Sequence, residues 1–593
     1  MCGIFSYIGN DQDAVLKTVK GLKDLEYRGY DSWGVAIKTL HGIYSQKSVG
    51  KISTVTDDDF KNVLGTVSIG HTRWATHGGV AERNAHPHWS RDKSIAVVHN
   101  GIVENHEELK EVLAQKWGNG FLRSETDTEV IPLLIDSFME EGLLFEDAFL
   151  KTARILEGRF AFVAIHKDEP FVLAVRDGSP LVLGVGKGEH FLASDAPAFL
   201  DYTNTVYFFE NAEYAKITTE TASFYDLKTG KAKRKKTEIL PWEKELATKG
   251  GHPHFMLKEI LEERELIEHT VTVGATIVKK AVPIFKVADS IFFTAMGTAA
   301  HMGMAAEYIF SRIASVSARL VYAAEFDKVA PFLSKKSLVC GISQSGETAD
   351  LLEAFRVAKG KKAQILSIIN ARGSSAERES FISIPITVGP EKAVASTKAA
   401  LGQLTILTLL AYALVGKQKA GEKELRKVSD EIQRWLSDDL IHEVFIVAKN
   451  ILDAKDLFVI GKSVNYPIAL EAALKIKEVS YIHAEGFAAG ELKHGTIALI
   501  EQGTPCVVLV SDDEYKNDVL SSAQELKARG ACIIGIAPER NAIFDYYIPV
   551  PALKDVTSFA LMISSHILAY HLAVLRGKDP DKPRNLAKSV TVK

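Results

Sequence analysis

Met1-Cys2-Gly3-Ile4 is the stretch around which the rest of the chain is organised, because a cysteine directly behind the initiator can become the N-terminal residue. Removal of Met1 would leave one residue that holds both a thiol and a free α-amine. The unperturbed pKa of such an amine is roughly 7.7 to 8.0, so a sizeable fraction is neutral at physiological pH and can take the thiol proton. These four residues alone also fit a cysteine that stands at position 2 by chance, so the choice depends on the motifs downstream.

Length and composition indicate a multidomain globular protein. The 593 residues exceed what one hydrophobic core can serve and suggest roughly three to five domains. The net charge of -4 gives no reason to expect nucleic acid or an anionic membrane as a partner. We expect no membrane span, because the apolar run at residues 404–415 is interrupted by threonines and a tyrosine. The N-terminus lacks signal-peptide features, which predicts a cytoplasmic location. Cys340, Cys506 and Cys532 lie in apolar runs typical of reduced core thiols rather than metal ligands.

Residues 1–225 consist mainly of short alternating segments, which predicts an α+β domain with stacked sheets. Arg73 follows one such segment and could hold a carboxylate by two hydrogen bonds. Asn100-Gly101 between apolar residues is typical of a tight hairpin turn, although the Asn100 amide and the Gly101 N–H could equally face a developing oxyanion. The stretch 124–129 precedes an apolar helical pattern and predicts a helix cap, and its Asp127 could also bind an ammonium group.

Six motifs in this region occur together and in order, and the region resembles the class II (N-terminal nucleophile, Ntn) glutamine amidotransferase domains. The resemblance implies that Cys2 is the nucleophile and that Asn100 and Gly101 form the oxyanion hole. It also implies that Arg73 and Asp127 hold the α-carboxylate and α-amine of glutamine. Thr76 and His77 would contribute to the glutamine pocket, and Trp74 would gate a path for ammonia. The motifs are Met1–Ile4, Leu25–Ser32, His71–Gly78, Asn84–His88, His99–Asn105 and Ser124–Glu129.

Residues 226–280 form a predicted linker and connecting helix between the first domain, at 1–225, and the rest of the chain. The basic run Lys231–Lys236 is more typical of a solvated linker than of a site for an anionic partner.

Within the first domain, Trp33 departs from the family pattern, which has a small residue at this place in the pocket wall.

The remaining chain contains an internal repeat. Gly297 and Gly461 lie 164 residues apart, as do Glu307 and Glu471 in the helical patterns that follow. Each copy alternates apolar, β-rich segments with helices. This pattern predicts two α/β domains with parallel sheets, at 281–420 and 445–580, followed by a C-terminal tail at 581–593.

Polar side chains mark a candidate phosphate site in the first copy. The stretch 343–348, Ser-Gln-Ser-Gly-Glu-Thr, joins a strand to a helix, so hydroxyls, backbone N–H groups and a helix N-terminus converge there. A turn of this kind also serves as a simple helix cap, and the pattern alone does not decide between the two. The second copy has Ser-Asp-Asp-Glu at 511–514, where the acids would repel a phosphate, so we predict one phosphate site per chain.

The second copy carries a charged stripe instead. Glu471, Lys475 and Glu478 fall within roughly 60° of one another around a helix, and apolar residues flank them. An ordinary surface salt bridge shows the same spacing, but the narrow polar face indicates the wall of a site.

Together with residues 394–398 and the C-terminal tail, these features resemble the sugar isomerase (SIS) domains of the isomerizing transaminases that use glutamine and fructose 6-phosphate. The resemblance covers nearly the whole chain. It implies that Glu478 moves a proton between C1 and C2 of the sugar, that His494 from a partner subunit assists ring opening, and that Lys588 forms a Schiff base. The implied sugar-phosphate ligands are Thr298, Ser343, Gln344, Ser345, Thr348, Val394, Ser396, Glu471 and Lys475.

The resemblance implies a homodimer that makes glucosamine 6-phosphate and glutamate without a metal or cofactor. Ala299 stands where the family has serine and removes one hydroxyl from the expected sugar site. In the tail, Leu586, Val590 and Val592 alternate at a spacing that predicts an extended segment with one buried face. We expect this segment to bring Lys588 into the sugar site, beside positive charge such as that of Lys475.

These residues also bear on four alternative functions. A phosphoribosyl-diphosphate amidotransferase shares the first domain, but the sequence lacks an Asp-Asp-Ser/Thr-x-x-Thr-Gly loop. A peptidase of the N-terminal nucleophile type is disfavoured because Arg73 and Asp127 fit a free amino acid. A sugar-phosphate sensor built on SIS domains would not need the set Glu478, His494 and Lys588. An amidotransferase that acts on a different sugar phosphate stays open.

Overall fold

The computed structural model of the protein describes residues 2–240 and 249–590. These residues form two compact units, one built mainly from residues 2–240 and one from residues 249–588. The first unit holds two antiparallel sheets, and the second holds two parallel sheets.

In the first unit, two sheets stack face to face between layers of helices. Alternate residues of strand β1 (Gly3–Gly9) point to opposite faces. Ile4 and Ile8 pack between the sheets, while Phe5 and Tyr7 pack with helix α1 (Ala14–Asp24). Helices α2 (His106–Trp117), α3 (Val130–Glu140) and α4 (Phe145–Ile155) pack on the outer face of the other sheet. This layering confirms the predicted α+β class with stacked sheets.

The strands of the first unit pair in two orders. The eight-stranded sheet runs β15-β11-β9-β10-β1-β4-β2-β3, and the seven-stranded sheet runs β14-β13-β12-β8-β7-β6-β5. Their bounds are β2 Ser32–Thr39, β3 Gly42–Val49, β4 Val67–Arg73, β5 His88–Trp89, β6 Ile95–Val103, β7 Gly158–His166, β8 Val172–Asp177, β9 Val182–Val185, β10 Glu189–Ala193, β11 Thr205–Phe208, β12 Glu213–Ile217, β13 Ala222–Asp226, β14 Ala232–Lys233 and β15 Glu238–Ile239.

The sheets of the first unit continue past residue 225, where the sequence places the end of this domain. That residue lies inside β13, and β14 and β15 then pair with β13 and β11. Lys233 and Lys235 of the basic run reach the fully buried carboxylate of Glu213 at 3.3 and 2.5 Å. The prediction of a solvated linker is therefore wrong for these residues, because the two ammonium groups compensate a buried charge.

The second unit contains two five-stranded parallel sheets with the same strand order, which confirms the predicted repeat and α/β class. The sheets run β17-β16-β18-β19-β20 and β22-β21-β23-β24-β25. Their strands are β16 Ser290–Ala295, β17 Arg319–Tyr322, β18 Ser337–Ser343, β19 Gln364–Ile369, β20 Ile382–Pro385, β21 Asp456–Gly461, β22 His483–Ala488, β23 Pro505–Leu509, β24 Cys532–Ala537 and β25 Tyr546–Pro549.

Helices surround both parallel sheets. They are α5 Phe255–Val287, α6 Gly297–Ile309, α7 Ala349–Gly360, α8 Ser375–Glu379, α9 Lys398–Leu414, α10 Gln418–Trp435, α11 Asp438–Asn450, α12 Asn465–Ser480, α13 Lys516–Lys527 and α14 Ser558–Leu575. The predicted connecting helix is α5, and it packs along α9 within the core of this unit.

One apolar segment, Lys554–Leu575, is long and apolar enough by length and composition to cross a membrane. The expectation of no membrane span was drawn from the apolar run at residues 404–415 alone, and it is wrong in leaving out this longer apolar helix. Of the most apolar stretch of this segment, 89% is buried inside the protein, and α14 packs against α11 and α12. A helix that is enclosed on all sides is apolar all round, which accounts for the composition.

Candidate active sites

Cys2 lies immediately before β1, with its thiol beside the backbone of Trp74. The Trp74 N–H donates to Sγ at 3.3 Å, and Sγ lies 3.5 Å from the Trp74 carbonyl oxygen. The Cys2 carbonyl accepts a hydrogen bond from Asn100 Nδ2 at 3.1 Å. A Cβ atom on Gly3 would lie 2.7 Å from the Thr72 hydroxyl, so glycine permits the close approach of β1 to β4 that seats Cys2 here.

The charges of Arg73 and Asp127 both act on the Cys2 thiol, so the fold brings these three predicted site residues into one electrostatic environment. Burial raises the pKa of the thiol, and the Trp74 hydrogen bond and the Arg73 charge offset this only in part. A thiol with a raised pKa needs a base, because the thiolate is the nucleophile. The base predicted from the sequence is the α-amine exposed by removal of Met1, a residue outside the described range.

Asn100 and Gly101 lie within β6, paired with Ala161 and Phe160 of β7. The hairpin-turn reading of this dipeptide is therefore wrong. Gly101 has a φ of 121°, and a Cβ atom there would lie 1.9 Å from the Arg159 carbonyl oxygen. Only glycine fits this position, because the backbone conformation and the space both exclude a side chain. The Asn100 amide nitrogen also donates to Ser194 Oγ at 2.7 Å.

His71 is a further residue of this site to which the sequence analysis assigned no role. Its Nε2 lies 3.1 Å from Asn100 Oδ1, which turns the amide nitrogen of Asn100 toward Cys2. Burial lowers the pKa of His71 to about 3, so the ring is neutral and Nε2 can donate while Nδ1, within the described part of the chain, has no partner. The sequence signal that could have indicated a role for His71 was its position in the motif His71–Gly78.

The predicted glutamine-binding residues surround the loop after β4. The Arg73 guanidinium donates to the carbonyls of His77 and, at 3.1 Å each, of residues 78 and 79, so it also shapes this loop. Asp127 is 4% exposed and accepts a hydrogen bond from the Val103 N–H at 2.8 Å. Thr76 is exposed, and the half-buried ring of Trp74 packs edge-on against another aromatic ring at 6.0 Å.

Hydrogen bonds join the two ends of the loop at 124–129. The Glu129 carboxylate accepts hydrogen bonds from the N–H groups of Arg123 and Ser124 at 2.8 and 2.7 Å. Helix α3 begins at Val130 without a side-chain cap, so the prediction that the stretch 124–129 caps this helix is wrong. The loop instead carries Asp127, whose charge acts on the Cys2 thiol.

Trp33, the first departure from the family pattern, lies in the apolar core of the first unit. It is 4% exposed and belongs to the same cluster as Phe5, Leu25 and Val35. The indole is accommodated by apolar packing on β2.

In the second unit, the charged stripe lies on α12 and is buried. Glu471 and Lys475 have side-chain exposures of 0% and 1%, and Glu478 is 19% exposed. Lys475 Nζ lies 2.6 Å from Glu478 Oε2 and 3.5 Å from Glu471 Oε1. Burial excludes the surface salt-bridge reading, because exposed pairs do not lose their water.

Helix α6 of the first copy completes this cluster. Thr298 Oγ1 donates to Glu471 at 3.0 Å, and His301 Nδ1 lies 2.8 Å from the other carboxylate oxygen. Burial would raise the pKa of Glu471, but the Lys475 charge and the His301 hydrogen bond outweigh it and lower the pKa. The neighbouring Ala299 is 9% exposed and belongs to the apolar core.

The C-terminal tail places Lys588 against Glu391. The two side chains form an ion pair in which Lys588 is 5% and Glu391 0% exposed. Glu391 also accepts hydrogen bonds from Ser396 Oγ at 2.9 Å and from the N–H groups of Thr397 and Ala399 at 3.0 and 3.1 Å. Sequence reasoning missed Glu391, although it lies three residues before the quoted segment 394–398.

The docked tail differs from the predicted extended segment. Val590 is 53% exposed, Leu586 is half-buried, and Val592 lies outside the described residues. The expectation of an alternating buried face is therefore wrong. The ion pair with Glu391, together with a hydrogen bond from the Val394 N–H to the Asp581 carbonyl at 3.0 Å, holds the tail instead.

The stretch 343–348 joins β18 to α7 and has the form of a cradle. The Gly346 N–H donates to Ser343 Oγ at 3.0 Å, and Thr348 Oγ1 lies 3.3 Å from the same hydroxyl. Gly346 has a φ of 62°. The Glu347 carboxylate accepts from the Ser375 N–H at 2.7 Å, so at least one of its oxygens is turned to the neighbouring loop. Gln344 and Ser345 complete the turn ahead of the α7 N-terminus, where partial positive charge favours an anion.

The corresponding acids of the second copy have basic partners. Asp512 lies 3.3 Å from Lys516, and Glu514 lies 2.9 Å from Arg312. His494 is exposed at the end of the short helix Ala489–His494. Among residues 2–240 and 249–590, no group of three or more His, Cys, Asp or Glu side chains is placed to hold a metal ion.

The fold and the two clusters define an N-terminal glutamine amidotransferase domain followed by two SIS domains. Residues 71–201 match the family described as the glutamine amidotransferase domain. Residues 284–413 and 450–545 match the SIS domain family.

Full-length relatives identify the family more closely. The chain is 43% identical to the glutamine–fructose-6-phosphate aminotransferase (isomerizing) of Thermococcus kodakarensis and 41% identical to that of Pyrococcus horikoshii, each alignment covering 100% of both chains. It is 32% identical to the solved C-terminal domain of glucosamine-fructose-6-phosphate aminotransferase from Francisella tularensis, with a TM-score of 0.52 over 57% of this chain and 100% of that one. The chain belongs to the family of isomerizing glutamine–fructose-6-phosphate aminotransferases.

Proposed function

We propose that the protein transfers the amide nitrogen of L-glutamine to D-fructose 6-phosphate and isomerises the product to D-glucosamine 6-phosphate, with release of L-glutamate. The observation that carries this proposal is the burial of the Lys588 amine against Glu391. Lysine side chains are ordinarily exposed and are almost never fully buried unless they are paired. Full-length similarity to enzymes named for this reaction supports the same conclusion.

In the first domain, the Cys2 thiolate attacks the side-chain carbonyl carbon of glutamine. The negative charge that develops on the oxygen is received by the Gly101 N–H and by Asn100 Nδ2, which gives up its hydrogen bond to the Cys2 carbonyl for this purpose. Collapse of this intermediate releases ammonia, and water then hydrolyses the thioester to glutamate. Arg73 and Asp127 bind the α-carboxylate and α-amine, which selects the free amino acid.

In the SIS domains, the cradle at 343–348 binds the phosphate and the buried stripe binds the open sugar. His494 of the partner subunit assists ring opening in a homodimer, and Lys588 forms an imine with the C2 ketone. Ammonia then replaces the lysine nitrogen, and Glu478, held by Lys475, moves a proton between C1 and C2. The remaining ligands are Thr298, Val394, Ser396 and Glu471.

These steps are additions, eliminations and proton transfers, all of which the named side chains can carry out. Ammonia in water is mostly protonated at neutral pH, so the nitrogen released in one domain is used in the other without passing through bulk solvent. We place this chemistry in the cytoplasm.

Product identification tests the proposal. The purified protein is incubated with glutamine and fructose 6-phosphate, and the sugar product is identified by mass spectrometry and NMR. We expect glucosamine 6-phosphate in amounts equal to the glutamate released. A sensor would bind the sugar phosphate without turnover, and activity with another sugar phosphate alone would replace the substrate. Cys2→Ala with ammonium as nitrogen source is the matched control for the second domain.

The role of Lys588 has its own test. Borohydride added to the enzyme with fructose 6-phosphate should reduce the imine to a stable adduct on Lys588, located by peptide mass spectrometry. Lys588→Arg keeps the positive charge but cannot form the imine, so it should lose synthesis and keep glutaminase activity. An adduct on another lysine, or a fully active Lys588→Arg enzyme, contradicts the assignment.

A further inference from the structure

Two carboxyl groups meet at the loop that receives Lys588. Glu391 contacts the lysine directly, and Glu259 of α5 accepts the N–H groups of Lys392 and Ala393 at 2.6 and 3.2 Å. Glu259 is 2% exposed, and its second carboxylate oxygen has no hydrogen-bond partner among the described residues. Neither group has a chemical step assigned to it in the function proposed above.

The imine chemistry requires a proton acceptor for Lys588. A lysine side chain ordinarily carries a proton at neutral pH, and its nitrogen attacks a ketone only after that proton has left. Within residues 2–240 and 249–590, the Glu391 carboxylate is the group in contact with Lys588 Nζ. A carboxylate in contact with the reacting nitrogen meets the geometric requirement for a general base.

We propose that Glu391 is a further catalytic residue, which takes the proton of Lys588 and returns it to the departing oxygen, and that Glu259 is a positioning residue behind it. This inference rests on the proposed function of Lys588. The proton moves from the ammonium to Glu391, and the nitrogen lone pair forms the bond to C2. The carbonyl π electrons move to oxygen, which takes a second proton from the same nitrogen. Glu391 then protonates the hydroxyl, water leaves, and a protonated imine and the Glu391 carboxylate remain.

The basicity of Glu391 changes in the direction that this cycle needs. Burial alone raises the pKa of Glu391, but the charge of Lys588 and the hydrogen bonds from the surrounding loop lower it to about 2. Loss of the ammonium charge removes the largest of the lowering causes, so Glu391 becomes a stronger base as the proton leaves the lysine. The other charges acting in this cluster are those of Glu259, Glu263, Lys398 and Lys475.

The carboxyl group of Glu259 is expected to be protonated, and therefore uncharged, at neutral pH. Burial, followed by the charge of Glu391, raises the pKa of Glu259 to about 8. At neutral pH it therefore fixes the backbone at 392 and 393 without adding a second negative charge beside Lys588. Above pH 8 its ionisation would favour the ammonium form of the lysine and oppose imine formation.

The test is the rate of borohydride trapping of fructose 6-phosphate on Lys588 in the full-length enzyme, measured from pH 6 to 9.5. For Glu391→Gln, we expect a rate about 100-fold lower that rises with pH as hydroxide replaces the carboxylate. Binding of fructose 6-phosphate by calorimetry should stay within about threefold, because an amide oxygen still accepts the loop hydrogen bonds. Glu391→Asp should recover part of the rate and the wild-type pH profile.

Glu268→Gln is the matched control for Glu259→Gln, because it makes the same chemical change at an exposed position of α5. We expect it to leave the trapping rate and its pH profile unchanged. For Glu259→Gln, we expect the bend in the wild-type profile near pH 8 to disappear.

The outcomes separate the two proposals. Trapping in Glu391→Gln at the wild-type rate with the wild-type pH profile overturns the inference, and an unchanged bend in Glu259→Gln overturns the part concerning that residue. Loss of sugar binding in Glu391→Gln together with failure of Glu391→Asp to restore the rate would assign Glu391 a structural role, which also overturns it. Absence of any adduct on Lys588 in the wild-type enzyme contradicts the proposed function itself.

Discussion

Asn100→Ala should separate the oxyanion hole from the rest of the glutaminase site. The substitution removes the Nδ2 donor that lies 3.1 Å from the Cys2 carbonyl. Loss of one preorganised donor to a developing oxyanion costs about 2.7 to 4 kcal/mol, or a factor of about 100 to 1000 in kcat. Because the oxygen carries this charge only in the transition state, we expect KM for glutamine to change little.

Substitution of His71 should lower kcat less than substitution of Asn100, and the two losses can be compared directly. His71→Phe removes the contact at 3.1 Å that orients the Asn100 amide but leaves the amide and its bond to Ser194 in place. The net value of one hydrogen bond is about 0.5 to 1.5 kcal/mol, so kcat should fall about two- to tenfold. Since His71 acts through Asn100, adding His71→Phe to Asn100→Ala should cause no further loss.

The assay is glutamate release as a function of glutamine concentration, with fructose 6-phosphate present. Synthesis from ammonium and fructose 6-phosphate, which does not use the first domain, controls for folding. An Asn100→Ala enzyme within tenfold of the wild-type kcat would refute the reasoning. So would a double variant whose loss equals the product of the two single losses, because His71 would then act independently of Asn100.

Three further predictions concern other parts of the molecule. Cys2→Ala, or retention of Met1, should abolish glutaminase activity and preserve sugar-phosphate binding, and N-terminal sequencing that finds Met1 on fully active enzyme would contradict this. Ala299→Ser would tighten fructose 6-phosphate binding by about 0.5 to 1.5 kcal/mol if the hydroxyl faced the sugar. Since Ala299 lies in the apolar core, we expect calorimetry to show no tightening. Burial lowers the pKa of four histidines of the first unit, so the unfolded state takes up protons below about pH 6.5 that the folded state refuses. Stability of this unit should fall between pH 6.5 and about 3, and a urea midpoint that stays constant from pH 7.5 to 5 would disagree. These histidines are His71, His86, His88 and His99.

Local pattern in the sequence was sufficient for much of the architecture. Successive residues of β1 point to opposite faces of the strand. The spacing of Glu471, Lys475 and Glu478 places them on one side of α12 whatever surrounds the helix. The repeat predicted two parallel sheets because each copy carries its own strand and helix periodicity. The thiol of Cys2 and its potential free α-amine likewise belong to one residue, so the sequence alone was enough to predict them.

Tertiary structure decided which distant groups meet. Lys588 and Glu391 are separated by 197 positions, and no periodicity connects two residues so far apart, so the sequence predicted positive charge near the lysine where a carboxylate lies. Asn100-Gly101 has the composition of a turn, but pairing with β7 on one side makes it the middle of a strand. Trp33 and the lysines of the basic run gained their roles in the same way, from a neighbouring core and a buried Glu213. A local pattern records which face a side chain takes, whereas its partner, its burial and its pKa depend on segments that only the folded chain brings together.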